Sequence, residues 1–214
     1  MLAQTRENYD DFAASFSQTR SYIPENIAAL LKDFARQGDR VLDIGCGNGR
    51  LCPFFEDKKT NYCGIDVSSA LIEIAGQKHP GADFAVADAL NLPFAAGVFN
   101  LAVSWAVLHH IPSEEYRRDF FREALRVLKP GGRFVVAVWD LRLKTMVQKK
   151  QWRRLKGFLK SQAKIMLGLQ KLDRGDFFIS WQNKYQRYHH AFSLPELEKT
   201  AKTAGFEIEK SGAL

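Results

Sequence analysis

The stretch Val41-Leu42-Asp43-Ile44-Gly45-Cys46-Gly47-Asn48-Gly49 constrains this chain more than any other. A short apolar run, suited to a buried strand, stops at a glycine-rich turn. Its glycines permit tight turning and let the backbone come close to a ligand. In doubly wound sheets, ligands bind beyond the carboxyl ends of the strands, where the strand order reverses. A strand–turn–helix rhythm follows. Residues 40–44, 61–65, 83–86, 99–104 and 133–139 read as strands, the last introduced by Lys129-Pro130-Gly131-Gly132. Residues 48–55, 69–77 and 113–128 read as helices between them. Apolar strands alternating with helices imply a doubly wound α/β fold, with a mostly parallel sheet covered on both faces.

Before this core, Tyr9, Phe12 and Phe16 fall on one apolar helical stripe, as core or as a lid over the site. A second helix is expected over residues 24–36, with proline near its first turn. After residue 140 the rhythm breaks. Trp152, Leu155, Leu159, Met166 and Leu169 fall roughly on one helical face, with lysines and arginines elsewhere, so residues 141–185 are expected to be a basic helical insertion. Residues 1–140 and 186–214 then form the core. Ser193 is the expected N-cap of a helix ending at Gly205, and residues 206–210 a strand.

The net charge of +7 is unevenly spread. Residues 142–174 hold eleven Lys or Arg against one acid, Asp173, or +10, which leaves −3 for the rest. Such a segment points to a polyanionic partner. The three cysteines, Cys46, Cys52 and Cys63, have no CxxC spacing, and the histidines show no HExxH pattern. This predicts a reducing, cytoplasmic setting and no metal. The polar N-terminus is no signal peptide, and no apolar run approaches a membrane span.

Acids end three successive strand positions: Asp43 before the glycine loop, Asp66 after the second strand and Asp88 after the third. An acid beside the loop suits a cofactor carrying an ammonium group and suits a phosphate poorly. A carboxylate at Asp66 can accept both hydroxyls of a ribose. One at Asp88, in Ala87-Asp88-Ala89-Leu90, can accept from an adenine amino group. The runs VLDIGCGNG, GIDVS, ADALNLPF and LKPGG resemble the class I S-adenosylmethionine-dependent methyltransferases over nearly all of residues 38–140. The resemblance implies the Rossmann-like fold and S-adenosylmethionine as cofactor, held by Asp43, Gly45, Gly47, Gly49, Asp66, Asp88, Ala89 and Ser104. The sheet of this class ends with one more strand, so either the chain is truncated after Leu214 or the sheet is short by a strand. Asn100 departs from the usual aspartate at the start of the fourth strand.

A narrower resemblance rests on Phe16-Ser17-Gln18-Thr19-Arg20, Asn48, His109-His110, Val138-Trp139 and Gln186-Arg187-Tyr188-His189-His190-Ala191-Phe192. These look like the enzymes that methylate the carboxylate of 5-carboxymethyluridine at the tRNA wobble position. That family usually reads tyrosine where His189 stands, and Trp-Pro near Ile23-Pro24. Chain segments typical of N6-adenine and C5-pyrimidine methylation are missing after the fourth strand. The resemblance implies an acceptor site of Arg20, His110, Arg187 and His190. Arg20 and Arg187 would hold a phosphate or the acceptor carboxylate, His110 and His190 the base or ribose. Trp139 or Tyr188 would stack on an unpaired base, and residues 142–174 would track the tRNA backbone. Eukaryotic members work with a small zinc-binding activator subunit. Adjacent His109 and His110 are expected to face different ways, His109 as a structural turn residue. Two other functions stay open: methylation of a lipid- or quinone-like small molecule at a membrane surface, and a catalytically silent S-adenosylmethionine-binding module.

Overall fold

A computed structural model describes residues 2–20, 22–181 and 185–213. The side chain of Phe12 lies outside the described residues. The chain divides into two compact units. The sheet unit comprises residues 9–105 and 122–137; the second unit comprises residues 106–121 and 138–213 with the first eight.

The N-terminal helix is α1 (Leu2–Thr19), followed by α2 (Glu25–Lys32). Then come β1 (Arg40–Ile44), α3 (Cys52–Asp57), β2 (Asn61–Asp66), α4 (Ser69–Lys78), β3 (Asp83–Val86) and β4 (Phe99–Trp105). After α5 (Glu114–Val127), β5 (Leu128–Ala137) completes the sheet. The order is β3-β2-β1-β4-β5, with every pairing parallel. The order reverses between β1 and β4, so the carboxyl end of β1, where Gly45 begins, lies at the switch point. β1 is buried along Val41, Leu42, Asp43 and Ile44, which is why its sequence is continuously apolar save for one acid. Leu31, Val41, Phe55, Tyr62, Leu101 and Val103 form the core beside it.

Local chemistry sets the element ends. α3 starts at Cys52 rather than at residue 48, because Gly47 and Gly49 take positive φ (58° and 75°) and keep the intervening chain in turns; Pro53 lies in the first turn of the helix. Ser68 caps α4 by accepting from the Leu71 N–H at 3.2 Å. β5 is interrupted where expected: Phe99 pairs with Leu128 and Leu101 with Arg133, so residues 129–132 bulge out of the ladder. Asn100 accepts from the Arg40 N–H (3.1 Å) and from Lys129 Nζ (3.0 Å), a tie between strands.

The second unit holds a 3-10 turn at residues 108–110, α6 (Leu143–Gln148), α7 (Trp152–Met166), β6 (Asp176–Trp181), β7 (Tyr185–His190) and α8 (Leu194–Thr203). The insertion is therefore helical only in its first part; an antiparallel hairpin, β6–β7, follows. The packed face of α7 also differs from the expected stripe. Phe158 meets Phe177 edge to face at 5.2 Å, and a Cβ on Gly157 would come within 3.3 Å of the Phe178 carbonyl oxygen. Small residues thus let the helix approach β6, while Trp152 (60% exposed), Leu159 and Met166 (83%) point to solvent. α8 carries the expected Ser193 cap, with a full capping box to Glu196. Residues 206–210 form no strand. The Phe206 N–H donates to the Ala201 carbonyl (3.1 Å), closing the helix end, and its ring packs on Phe121. Among the described residues, no helix is long and apolar enough to cross a membrane.

Gly64 on β2 leaves no room for a side chain: a Cβ would lie 2.8 Å from Phe84 Cδ1 and 2.9 Å from Cys46 Sγ. Gly64→Ala is expected to destabilise by about 1–3 kcal/mol through overpacking, read from the urea midpoint. An unchanged midpoint would show that Phe84 and the loop shift freely.

Candidate functional site

The glycine loop after β1 is held by hydrogen bonds to the end of β2. The N–H groups of Gly45 and Cys46 both donate to the Ile65 carbonyl at 2.8 Å. The Gly47 N–H donates to Asp66 Oδ2 at 2.9 Å, and the Ser68 N–H to Asp66 Oδ1 at 2.9 Å. The Gly49 N–H closes a turn onto Cys46. A phosphate cradle needs loop N–H groups free to face the ligand; here four are engaged within the protein. Asp43, 1% exposed, and Asp66 add negative charge beside them. This donor set fits a cofactor with an ammonium and a nucleoside and does not fit a pyrophosphate.

Asp43 accepts from Tyr62 Oη at 2.8 Å. Burial pushes its carboxyl up to about 7, against the opposing pull of Tyr62 and of Arg50. Asp66 is likewise raised by burial, opposed by the backbone N–H groups it accepts. Asp88 is exposed and accepts from the Leu90 N–H at 2.9 Å; Ala89 is the next residue in that turn. Ser104 Oγ donates to the Ile44 carbonyl at 2.8 Å.

The last turns of α1 are tied to this loop. Asn48 Nδ2 donates to Ser17 Oγ and to the Arg20 carbonyl, each at 3.0 Å. Asp10 accepts from Ser68 Oγ at 2.6 Å, and a Cβ on Gly47 would touch the Phe16 ring at 3.5 Å. Phe16 packs edge to face on Tyr9. Arg20 lies over the Phe16 ring at 4.4 Å. Asn48 Oδ1 is buried without a hydrogen-bond partner.

In the second unit, β7 sorts its residues by parity. Arg187 and His189 lie on one face, Tyr188 and His190 on the other, and all four are buried. On the first face, Arg187 Nη2 lies 3.1 Å from His110 Nε2. His109 stacks on Trp139 (4.9 Å, 30°). Arg187 and Arg154 both approach the Trp139 ring, at 6.0 and 5.3 Å. Contrary to the expectation that they face different ways, His109 and His110 both approach His189, their own ring centroids 4.3 Å apart. Burial holds His109 and His189 well below the ordinary imidazole range, with neighbouring imidazoles and arginines adding to it.

On the opposite face, Asp176 is the hub. Its Oδ1 accepts from Tyr188 Oη at 2.5 Å and from His190 Nδ1 at 2.6 Å. His190 Nε2 meets Glu196 Oε1 at 2.7 Å. Burial alone would lower the His190 pKa, but the two carboxylates outweigh it and the net shift is upward. Arg117 bridges Asp173 (2.8 Å) and reaches Asp176 (3.8 Å). So of the expected acceptor residues, His110 and Arg187 are brought together. Both nitrogens of His190 are held by carboxylates, and the Tyr188 hydroxyl is engaged with Asp176. Arg20 belongs to the other unit. Tyr62, Arg50 and Arg154 went unnoticed in the sequence. Arg50 lies 3.5 Å over the Trp105 ring. Only Arg50, next to the glycine motif, carried any positional signal.

This sheet order, with an acid-flanked glycine loop at the switch point, defines the Rossmann-like class I methyltransferase fold. The chain belongs to the methyltransferase domain family, which matches residues 16–211. A methyltransferase structure from Methanosarcina mazei, described as S-adenosylmethionine-dependent, superposes with a TM-score of 0.71 at 25% identity over 85% of both chains. The tRNA (carboxymethyluridine(34)-5-O)-methyltransferase of Arabidopsis thaliana is 39% identical over 61% of this chain and 31% of its own length. The Saccharomyces cerevisiae protein of the same name is 37% identical over 62% of this chain and 47% of its own length. The chain thus spans less than half the length of each of these two tRNA methyltransferases.

The raised carboxyl of Asp43 makes folding proton-linked. The folded state keeps a proton that the unfolded state loses near pH 4, so this group's contribution to stability falls as pH rises from about 4 to about 7. Asp43→Asn keeps an acceptor for Tyr62 and removes the buried charge. It is expected to stabilise the cofactor-free protein on the order of 1–4 kcal/mol at pH 8, with the gain shrinking toward pH 4. A thermal melt series across pH checks this; an Asn variant less stable at pH 8 would contradict it.

Proposed function

We propose that this chain transfers the methyl group of S-adenosylmethionine to the carboxylate of a 5-carboxymethyluridine at the tRNA wobble position. The observation that carries it is the buried Arg187 guanidinium (5% exposed) beside His110 and the Trp139 plane. A guanidinium matches a carboxylate with two parallel donors, and an aromatic plane suits an unstacked base. The names of the relatives in thale cress and yeast support the same acceptor.

The cofactor, when bound, supplies an electrophilic sulfonium methyl. The acceptor carboxylate, with an ordinary pKa near 4, is already ionised and needs no general base. Its oxygen bonds to the methyl carbon as the carbon–sulfur bond breaks, and sulfur keeps the electron pair as a neutral thioether. A pair of opposite charges disappears, so a dry site favours the step. Asp43, Gly45, Gly47, Gly49, Asp66, Asp88, Ala89 and Ser104 would hold the cofactor: Asp43 the ammonium, Asp66 the ribose hydroxyls, Asp88 the adenine amino group. Arg187 and His110 would orient the carboxylate in line. His190 would act as a positioning residue, holding β7 through Asp176 and Glu196. Arg20 would take a phosphate. Residues 142–174 would follow the tRNA backbone, with the exposed Lys156, Lys160 and Lys164 as a stripe along α7. We place the reaction in the cytoplasm, and a small activator subunit, as in the resembled family, among its partners.

Incubation with radiolabelled S-adenosylmethionine and total RNA should label tRNA as a base-labile ester of a wobble nucleoside. Label in no RNA would sink the proposal. Exposed Trp152, Leu159 and Met166 beside the basic stripe favour a second acceptor, a lipid-like molecule at an anionic membrane; salt-dependent binding to tRNA but not to anionic vesicles separates the two.

Two variants divide the roles. Asp66→Ala should weaken S-adenosylmethionine binding about tenfold to a hundredfold, the worth of charge-assisted hydrogen bonds to the ribose. Arg187→Ala should leave that affinity unchanged and lower kcat/KM toward tRNA by a similar factor. Calorimetry and single-turnover rates check both; normal cofactor binding by Asp66→Ala would remove the ribose assignment.

A further inference from the structure

The imidazoles of His109, His110 and His189 form a group of their own in the second unit. Each offers one ring nitrogen, and these three nitrogens lie within 4.8 Å of one another. All three residues are buried, His189 to 1% exposure. Their ring centroids are 4.3, 4.6 and 5.6 Å apart. His110 Nδ1 faces the Tyr188 carbonyl at 2.9 Å, and His189 Nδ1 faces the Arg187 carbonyl at 3.0 Å. A carbonyl only accepts, so both rings carry their proton on Nδ1 and a lone pair on Nε2. Metal-ligating histidines are oriented in this way, with one nitrogen anchored by N–H to a carbonyl and the other presented to the ion. Nε2 of His189 and both nitrogens of His109 are buried without a hydrogen-bond partner.

We propose that His109, His110 and His189 bind one divalent transition-metal ion, leaving a coordination position open. Three imidazoles without a carboxylate select Zn2+, Co2+, Ni2+ or Cu2+ over Mg2+ and Ca2+, which take oxygen ligands. Zinc–nitrogen bonds of about 2.0–2.1 Å require the three nitrogens to draw together, and no side-chain hydrogen bond of His109 opposes its turning. Arg187 opposes the ion in two ways: its charge repels a dication, and its Nη2 occupies the His110 lone pair at 3.1 Å. Metal affinity and the Arg187 contact therefore compete. His189 stands where the resembled family usually has tyrosine, so the third ligand is a property of this chain. The ligand set shares His110 with the proposed acceptor pocket, but ion binding there does not rest on which molecule receives the methyl group.

The full chain, stripped with a chelator, is titrated with Co2+ and then Zn2+. One Co2+ per chain is expected, with visible ligand-field bands and no thiolate charge-transfer band in the near ultraviolet, and Zn2+ should displace it. The thiolate band matters because Cys52, Glu56 and His79 form a second group in the sheet unit that could take an ion. His189→Tyr and His109→Phe, each keeping a ring in the stack, should weaken binding at least about tenfold to a hundredfold. Arg187→Ala should tighten it, and Cys52→Ser should leave it unchanged. The proposal is overturned by no Co2+ binding at micromolar protein, by a charge-transfer band that Cys52→Ser removes, or by parental affinity in either histidine variant. Should one variant fail to fold, the other and the spectrum of the parent chain still decide.

Discussion

Everything in the sheet unit depends on the backbone bonds that fasten the glycine loop to the end of β2. Ile65 accepts two loop N–H groups and Asp66 a third. These bonds set the loop's curvature, and the positive φ of Gly45, Gly47 and Gly49 lets it take that curvature without strain. They also decide what the loop can hold. With its N–H groups turned inward and two carboxylates beside it, the loop presents acceptors and negative charge. The same architecture with free N–H groups would cradle a phosphate. Asp43 shows what this arrangement demands: a carboxyl fully inside the fold, its ionisation opposed by burial and supported by the Tyr62 hydroxyl and the Arg50 charge.

The second unit rests on a different kind of anchor. Asp176 gathers Tyr188, His190 and Arg117, and Glu196 holds the far nitrogen of His190. Low dielectric strengthens such a network once every member is satisfied. The result is a back face of β7 whose polar groups are paired. The front of the same strand can then carry groups whose own hydrogen bonding is incomplete, namely the imidazoles around Trp139.

The sheet was legible because buried parallel strands write themselves as apolar runs and because Gly45 marks the turn after the first of them; Ser193 marked the cap of α8 in the same local way. The positions of Asp43, Asp66 and Asp88 along the sheet were legible for the same reason: each lies within a few residues of a strand end. The hairpin β6–β7 escaped notice. Around Asp176–Phe177 and Arg187–His190 both faces are buried, so that part of its sequence lacks the apolar–polar alternation of a half-exposed hairpin. The stripe Trp152–Leu159–Met166 misled for the opposite reason. Helical spacing identifies a face but not which face is covered, and Gly157 and Ser161, small rather than apolar, mark the covered one. Residues 206–210 look like a strand, yet Phe206 is held by the helix end and by Phe121. The grouping of His109, His110 and His189 was out of reach, because its members come from separate elements.

The parity of β7 has a consequence for how this chain can vary. Arg187 and His189 serve one face and Tyr188 and His190 the other, within four consecutive positions. A single-residue insertion or deletion between the hairpin turn and Arg187 would exchange the two faces. The arginine would then meet the carboxylate hub, and the doubly anchored histidine would turn away from its carboxylates. Length changes within the paired stretch of β7 therefore keep the two faces only in steps of two. Single-residue slippage there would erase both the anchor and the cluster at once, without altering the identity of any side chain involved.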